Sequence, residues 1–211
     1  KVKKEAVIGY GAEVIECEPT LQAREDTLQA ILDNEGAIMI HPYNDFRIIQ
    51  GQGTAAKELI EDTEGAFDYI LTPIGGGGLI SGTALVTHYL SPNTQVIGGE
   101  PEAADDAYRS FKSGKLQVND SPPKTVADGL LTNLGELNFG IIKDYVHDIK
   151  LVNDREIMAA MRLIWERMKI IIEPSCAVPL AVVLKNKSLF ENRTVGIILS
   201  GGNVDFEKIK F

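Results

Sequence analysis

Four consecutive glycines, Gly75 to Gly78, stand between the apolar run "YILTPI" and a helical pattern from Leu79 to Leu90. Glycine loses more conformational freedom on folding than any other residue, so such a run is kept where side chains would block the backbone. A strand, a glycine turn and a helix bring free amide N–H groups and the positive end of a helix dipole to one place, which suits an anion. A second glycine turn, Ser200-Gly201-Gly202-Asn203, follows another apolar run, "TVGIIL". In open α/β sheets ligands sit outside the carboxyl ends of strands, so Ser200 is expected to face the same crevice. One end of this clamp would take phosphate, and the other would offer a neutral hydroxyl to a ring atom.

Several ligands compete for the tetraglycine turn. A Walker loop needs Gly-Lys-Ser/Thr, and Gly78 is followed by Leu79, so that reading fails. The dinucleotide fingerprint wants a third glycine where Ile80 stands, although Glu100, at the end of the next strand, could serve as the ribose acid of an NAD(P)-binding Rossmann enzyme. A monophosphate cup asks only that successive N–H groups converge on one dianion, as in a backbone nest. A close-packing turn with no ligand is the remaining reading.

The elements that must position these turns alternate between helical and strand patterns, as in an α/β fold with an open, mainly parallel twisted sheet and flanking helices. Strands are expected over Glu13–Cys17, Ala37–Ile40, Tyr69–Ile74, Gln95–Gly98 and in "TVGIILSGGN". Helices are expected over Ala23–Asn34, Thr54–Glu61 and Leu79–Leu90, with a short one in "VPLAVVLK". Asn153 followed by Glu156 makes a capping-box pattern ahead of the long helix "REIMAAMRLIWERMKI". The stretch from Asp105 to Asp128, with Ser121-Pro122-Pro123, reads as a polar surface excursion.

Composition narrows the partners. Thirty acidic residues against 21 basic ones give a net charge of -9 over 211 residues. No basic block is present to track a phosphate backbone, so nucleic acid is not expected. No apolar run has the length of a membrane span, and the first residues lack the apolar core of a signal peptide, so a cytoplasmic setting is expected. Cys17 and Cys176 show no metal-ligand spacing and read as reduced packing residues.

The two glycine turns, together with "HPYNDFRIIQGQGT", "ADGL" and "IIEPSCA" in this order, resemble the fold-type II pyridoxal-phosphate enzymes, the serine and threonine dehydratases. Within that family "EPEAADDAYRSFKSGKL", "WERMKIIIEPSCAV" and "LSGGNVD" are most similar to its serine-racemising branch. The resemblance implies a tryptophan synthase β-like architecture, with residues 1–45 as the C-terminal part of a small domain and 46–211 as the large cofactor-binding domain. It implies a homodimer that interconverts L- and D-serine and eliminates water from serine, with threonine as a further substrate, to a keto acid and ammonia. Gly75, Gly76, Gly77, Gly78 and the Leu79 amide would hold the phosphate of pyridoxal 5'-phosphate, and Ser200 would hydrogen-bond the pyridine nitrogen. A hydroxyl gives no drive to protonate that nitrogen, so the ring is a weaker electron sink than one paired with a carboxylate.

The family's metal site falls on Glu100, the Ala104 carbonyl and Asp106, hard oxygen ligands for Mg²⁺, Ca²⁺ or Mn²⁺. Read alone, "EPEAADD" is a solvated acidic loop. A nucleotide effector, ATP, is implied between subunits at Tyr10, Lys169 and Asn203, where Tyr10 and Lys169 also read as a turn aromatic and a helix-end cation. Arg24 matches an arginine near the substrate entrance but also reads as an exposed helical arginine. Glu173 matches a residue near the cofactor ring.

The family's Schiff-base lysine stands well before the glycine loop, and neither it nor the Ser-Gly-Asn-His segment is present in these 211 residues. Lys112 in "RSFKSGK" imitates the lysine motif but follows the loop and lacks its arginine. No catalytic base is therefore assigned, and the 211-residue chain by itself is expected to be inactive. It reads as a companion fragment or part of a longer enzyme, or else as a non-catalytic module that binds a small phosphorylated ligand.

Overall fold

The computed structural model describes residues 2–18, 21–63, 67–207 and 209. Its contacts divide the chain into Lys1–His41 and Pro42–Phe211. The first unit holds α1 (Val2–Gly9) and α2 (Leu21–Glu35). Neither expected strand of this unit forms: residues 13–17 and 37–40 have no regular structure. A short apolar run suits a strand, but a strand also needs a ladder partner, and the described residues of this unit contain no strand. Ile15, Ile38, Met39 and Ile40 are exposed as a result. Cys17 is exposed as well, contrary to its expected packing role.

The second unit is built on four parallel strands, β1 (Tyr69–Pro73), β2 (Gln95–Pro101), β3 (Asp148–Val152) and β4 (Val195–Ile197), in the order β3-β2-β1-β4. Around them lie α3 (Phe46–Asp62), α4 (Gly78–Leu90), α5 (Asp106–Ser113), α6 (Glu136–Tyr145), α7 (Asp154–Met168), α8 (Pro174–Lys185) and α9 (Lys187–Phe190). β1 and β2 are buried almost throughout, as in a parallel sheet covered on both faces. Side chains alternate between faces along a strand, so neighbours on β2 enter different cores. Ile97 joins Leu71, Met161, Val178 and Val182 beneath α7 and α8, whereas Val96 joins Ile80, Ala84, Ile142 and Ile149 beneath α4 and α6.

The strand order places the functional turns. The chain steps outward from β1 to β2 to β3, and β4 returns to the other side of β1. The order therefore reverses between β1 and β4, and such a switch point opens a crevice at the carboxyl ends of its two strands. The tetraglycine turn leaves β1 there, and Ser200-Gly201-Gly202 leaves β4 beside it.

Several helices differ from expectation in extent. α3 begins at Phe46, not Thr54, because the Asp45 carboxylate accepts the Arg47 amide at 2.8 Å and caps the helix. α5 interrupts the expected excursion of 105–128, and α8 starts at Pro174, with proline tolerated in the first turn. β3 and α6 carry no strong sequence signal: β3 is five residues with a charged one, Lys150, at its centre. The capping box of α7 forms as expected, with Asn153 accepting the Glu156 amide at 3.0 Å and Glu156 accepting the Asn153 amide at 2.9 Å.

Candidate functional site

The tetraglycine turn is walled by side chains that its own lack of side chains admits. A Cβ on Gly76 would stand 2.3 Å from the Tyr43 ring, and one on Gly77 would stand 2.6 Å from Leu134. Gly77 has φ 92°, a left-handed conformation that favours glycine, and it caps α4 without any side-chain hydrogen bond. The opening amides of α4 are thus left for a ligand, with the helix dipole behind them. Gly75, Gly76, Gly77, Gly78 and Leu79 line a cavity of about 370 Å³ together with Gly129, Leu130, Thr132 and Ser200. All five predicted phosphate-binding residues and the predicted ring partner are therefore brought to one cavity.

The wall around Ser200 is tied together by backbone. The Glu173 amide donates to the Gly201 carbonyl at 3.1 Å, and the Gly129 amide donates to the Ser175 hydroxyl at 2.9 Å. A Cβ on Gly201 would lie 3.1 Å from the Glu173 Oε1, and one on Gly129 would lie 3.4 Å from the same atom. The Glu173 carboxylate thus stands between the 129 and 201 turns. Cys176, fully buried behind this wall, has its thiol pushed up by burial, against the lowering effect of the Gly201 and Ser200 amides. It packs in the core under α8, as expected for a packing cysteine.

Three residues that the motif reading left without roles hold the other wall. Asn138 of α6 is fully buried and donates to the Gly76 carbonyl at 2.7 Å and to the Tyr43 carbonyl at 3.0 Å. The Asn44 side chain accepts the Leu137 amide at 3.0 Å, capping α6 from a distant segment. Tyr43 and Asn44 lie within "HPYNDF", a stretch marked by its motif, but no spacing in the sequence signals Asn138.

Glu100 and Asp106 are 1% exposed, so the reading of "EPEAADD" as a solvated loop is wrong for these two residues. Glu100 accepts the Ala107 and Tyr108 amides at 3.0 and 2.8 Å, at the start of α5. Asp106 accepts from the Asn119 side chain at 2.8 Å and from the Leu134 amide at 2.7 Å. Burial pushes the Glu100 carboxyl well above its usual value, and the Asp106 charge adds to this against the two amide hydrogen bonds; burial also raises Asp106. Two buried carboxylates on adjoining elements, near the buried Ala104, fit a hard cation, which would supply the opposite charge they lack. At 1% exposure Glu100 cannot meet the ribose of a dinucleotide, which removes the support for a dinucleotide fingerprint. Among the described residues no group of three or more His, Cys, Asp or Glu side chains could hold a metal, so a cation here would also need carbonyl or water oxygens.

The remaining residues are placed as follows. Lys112 donates to Asp148 at 2.8 Å, at the amino end of β3, on the opposite edge of the sheet from the glycine turns. Lys169 ends α7 in a left-handed conformation, exposed, with its ammonium on the Glu166 carbonyl at 2.7 Å. Asn203 lines a second cavity of about 480 Å³ with Val126, Met158 and Ile209. Tyr10 and Arg24 are exposed residues of the first unit. No described helix is long and apolar enough to cross a membrane.

The family described as "Pyridoxal-phosphate dependent enzyme" matches residues 1–201. The chain is 50% identical over 209 residues to a β-hydroxyaspartate dehydratase of Paracoccus denitrificans, covering 99% of the chain and 66% of the relative. It is 49% identical over 211 residues to a serine racemase of Dictyostelium discoideum, covering 99% of the chain and 65% of the relative. The structure of maize serine racemase superimposes with a TM-score of 0.93 at 38% identity, covering 98% of this chain and 64% of that one. The chain thus spans about two thirds of the length of these relatives.

Proposed function

The chain belongs to the pyridoxal-phosphate dependent enzymes, and from that premise we propose that it forms part of an enzyme acting on small β-hydroxy amino acids, with serine the first substrate. The reactions are inversion at Cα and loss of water to a keto acid and ammonia. The observation that carries this reading is the single cavity shared by the tetraglycine turn and Ser200. When bound, pyridoxal phosphate supplies an electron sink for the bonds at Cα.

The chain's own residues hold and orient. The amides of Gly75 to Leu79 would receive the phosphate, and the Ser200 hydroxyl would donate to the pyridine nitrogen. Tyr43 and Leu134 close the turn from solvent, and Glu173 sets its carboxyl between the 129 and 201 turns. Among the described residues no lysine lines the cavity, so we assign the Schiff-base lysine and the proton transfers at Cα to none of the residues that do. We further assign a divalent cation, Mg²⁺ in the first instance, to Glu100, Asp106 and the Ala104 carbonyl, where it holds β2 to α5. An ATP site that includes Lys169 and Asn203, in a cytoplasmic homodimer, completes the reading.

A second substrate has its own support, because the relative at 50% identity is a β-hydroxyaspartate dehydratase. Serine and hydroxyaspartate differ only by a carboxylate at Cβ. The complete protein, supplied with pyridoxal phosphate and Mg²⁺, is therefore assayed for pyruvate and D-serine from L-serine, and for oxaloacetate from the threo and erythro forms of β-hydroxyaspartate. Products from serine support the first reading, and oxaloacetate alone favours the second. No product from either, with no cofactor bound, would sink both.

A further inference from the structure

The Gly76 carbonyl accepts two hydrogen bonds from one side, from the Gly135 amide at 3.0 Å and from the Asn138 Nδ2 at 2.7 Å. A trans peptide is planar, so its N–H points opposite to its C=O. No cis peptide bond occurs among the described residues. Two donors holding the Gly76 oxygen toward α6 therefore turn the Gly77 N–H away from α6. We infer that Asn138 is a positioning residue that aims the Gly77 amide into the cavity as a donor to the cofactor phosphate. This rests on the assignment of that cavity to pyridoxal phosphate and names the device that shapes it.

The geometry of the amide supports a dedicated role. Both Asn138 donors are used, on the Gly76 and Tyr43 carbonyls, while its buried Oδ1 has no hydrogen-bond partner among the described residues. A buried acceptor left unmet is unfavourable, so the group is held by its donor side. Flipping the amide would set its oxygen against two carbonyl oxygens. The hold is reciprocal: Asn44 caps α6 through the Leu137 amide, and Asn138 of α6 returns to Tyr43, the residue next to Asn44. Gly76 is clasped between them, with the Tyr43 ring where its Cβ would be.

The test compares the wild-type complete protein with Asn138→Asp, which keeps the shape but turns a carboxylate on the two carbonyls. The apo proteins are titrated with pyridoxal phosphate, and the bound phosphate is observed by ³¹P NMR. The variant should bind the cofactor about tenfold more weakly or worse, the factor that about 1.4 kcal/mol represents, and its phosphate resonance should shift. A residue that only supports packing would lower the melting temperature of the apo protein and leave that resonance in place. Wild-type affinity with an unmoved resonance overturns the inference. Should Asn138→Asp fail to fold, Asn138→Ser, too short to reach the Gly76 oxygen, carries the same comparison. A wild-type protein that binds no cofactor phosphate overturns both this inference and the reading beneath it.

Discussion

At the scale of single residues, identity of chemistry and identity of place have to be argued separately. Ser200 has the right group and lines the right cavity. Ser200→Ala should leave cofactor affinity close to wild type and lower turnover about tenfold, the effect of about one hydrogen bond. Ser200→Asp should protonate the ring nitrogen and change the ratio of D-serine to pyruvate; wild-type rates and ratios in both variants would place the hydroxyl elsewhere. Lys112 has a plausible group in the wrong place, paired with Asp148 and lying 5.5 Å from the ring centres of Tyr108 and Phe111. Burial raises the Asp148 carboxyl, but hydrogen bonds from Lys112 and Lys150 outweigh it and leave it below its ordinary value. A carboxyl depressed by folding adds stability that is present above its unfolded pKa, about 3.9, and is lost as pH falls through the folded value. Lys112→Met should therefore cost about 0.5 kcal/mol at pH 7, since the lysine is half exposed and screened. In urea melts the difference should shrink as pH falls below the unfolded value and vanish once the folded carboxyl is protonated as well; a gap that does not shrink with falling pH would remove the ion pair as its cause.

At the scale of elements, short polar contacts decide where helices begin and what they hold. The capping box of α7 was legible because Asn153 and Glu156 satisfy each other's neighbouring amides at a fixed spacing. Its removal reaches the site wall, because Asp154 in the first turn of α7 accepts from Thr125 and the Val126 amide, just before the 128–130 turn. Asn153→Ala should cost about 1 kcal/mol and lower the melting temperature by about 2–4 °C. An unchanged melting temperature would show that the box contributes nothing in this context. α6 had no such local signature: its N-cap is Gly135, and its cap is supplied from Asn44, 93 positions away. Contacts of that kind leave no periodic trace, so neither α6 nor Asn138 could be recognised in advance.

At the scale of the whole molecule, the sheet order gathers what the chain disperses. Glu100 lies next to the end of β2 at Pro101, Asp106 opens α5, and Leu134, whose amide Asp106 accepts, also packs against Gly77 of the phosphate turn. A cation at Glu100 and Asp106 would bind only the folded protein, so chelation should lower the melting temperature, and Mg²⁺ should restore it. At about 100 times its Kd the ion would add about 2.7 kcal/mol. Asp106→Ala should abolish that response, and a full response in the variant would put the ion elsewhere. The sequence alone determined the α/β class, the two glycine turns, the capped long helix and the family, because these rest on local periodicity and on residues with few substitutes. It misjudged residues 13–17 and 37–40, where short apolar runs are present but no described strand pairs with them. Only the tertiary structure decided that β4 lies beside β1, which carries Ser200 to the tetraglycine turn. It also decided that "EPEAADD" has two buried carboxylates, and that a distant asparagine holds the Gly76 carbonyl. Burial and strand order come from pairing between segments far apart in the chain, and a local pattern carries no record of its distant partner.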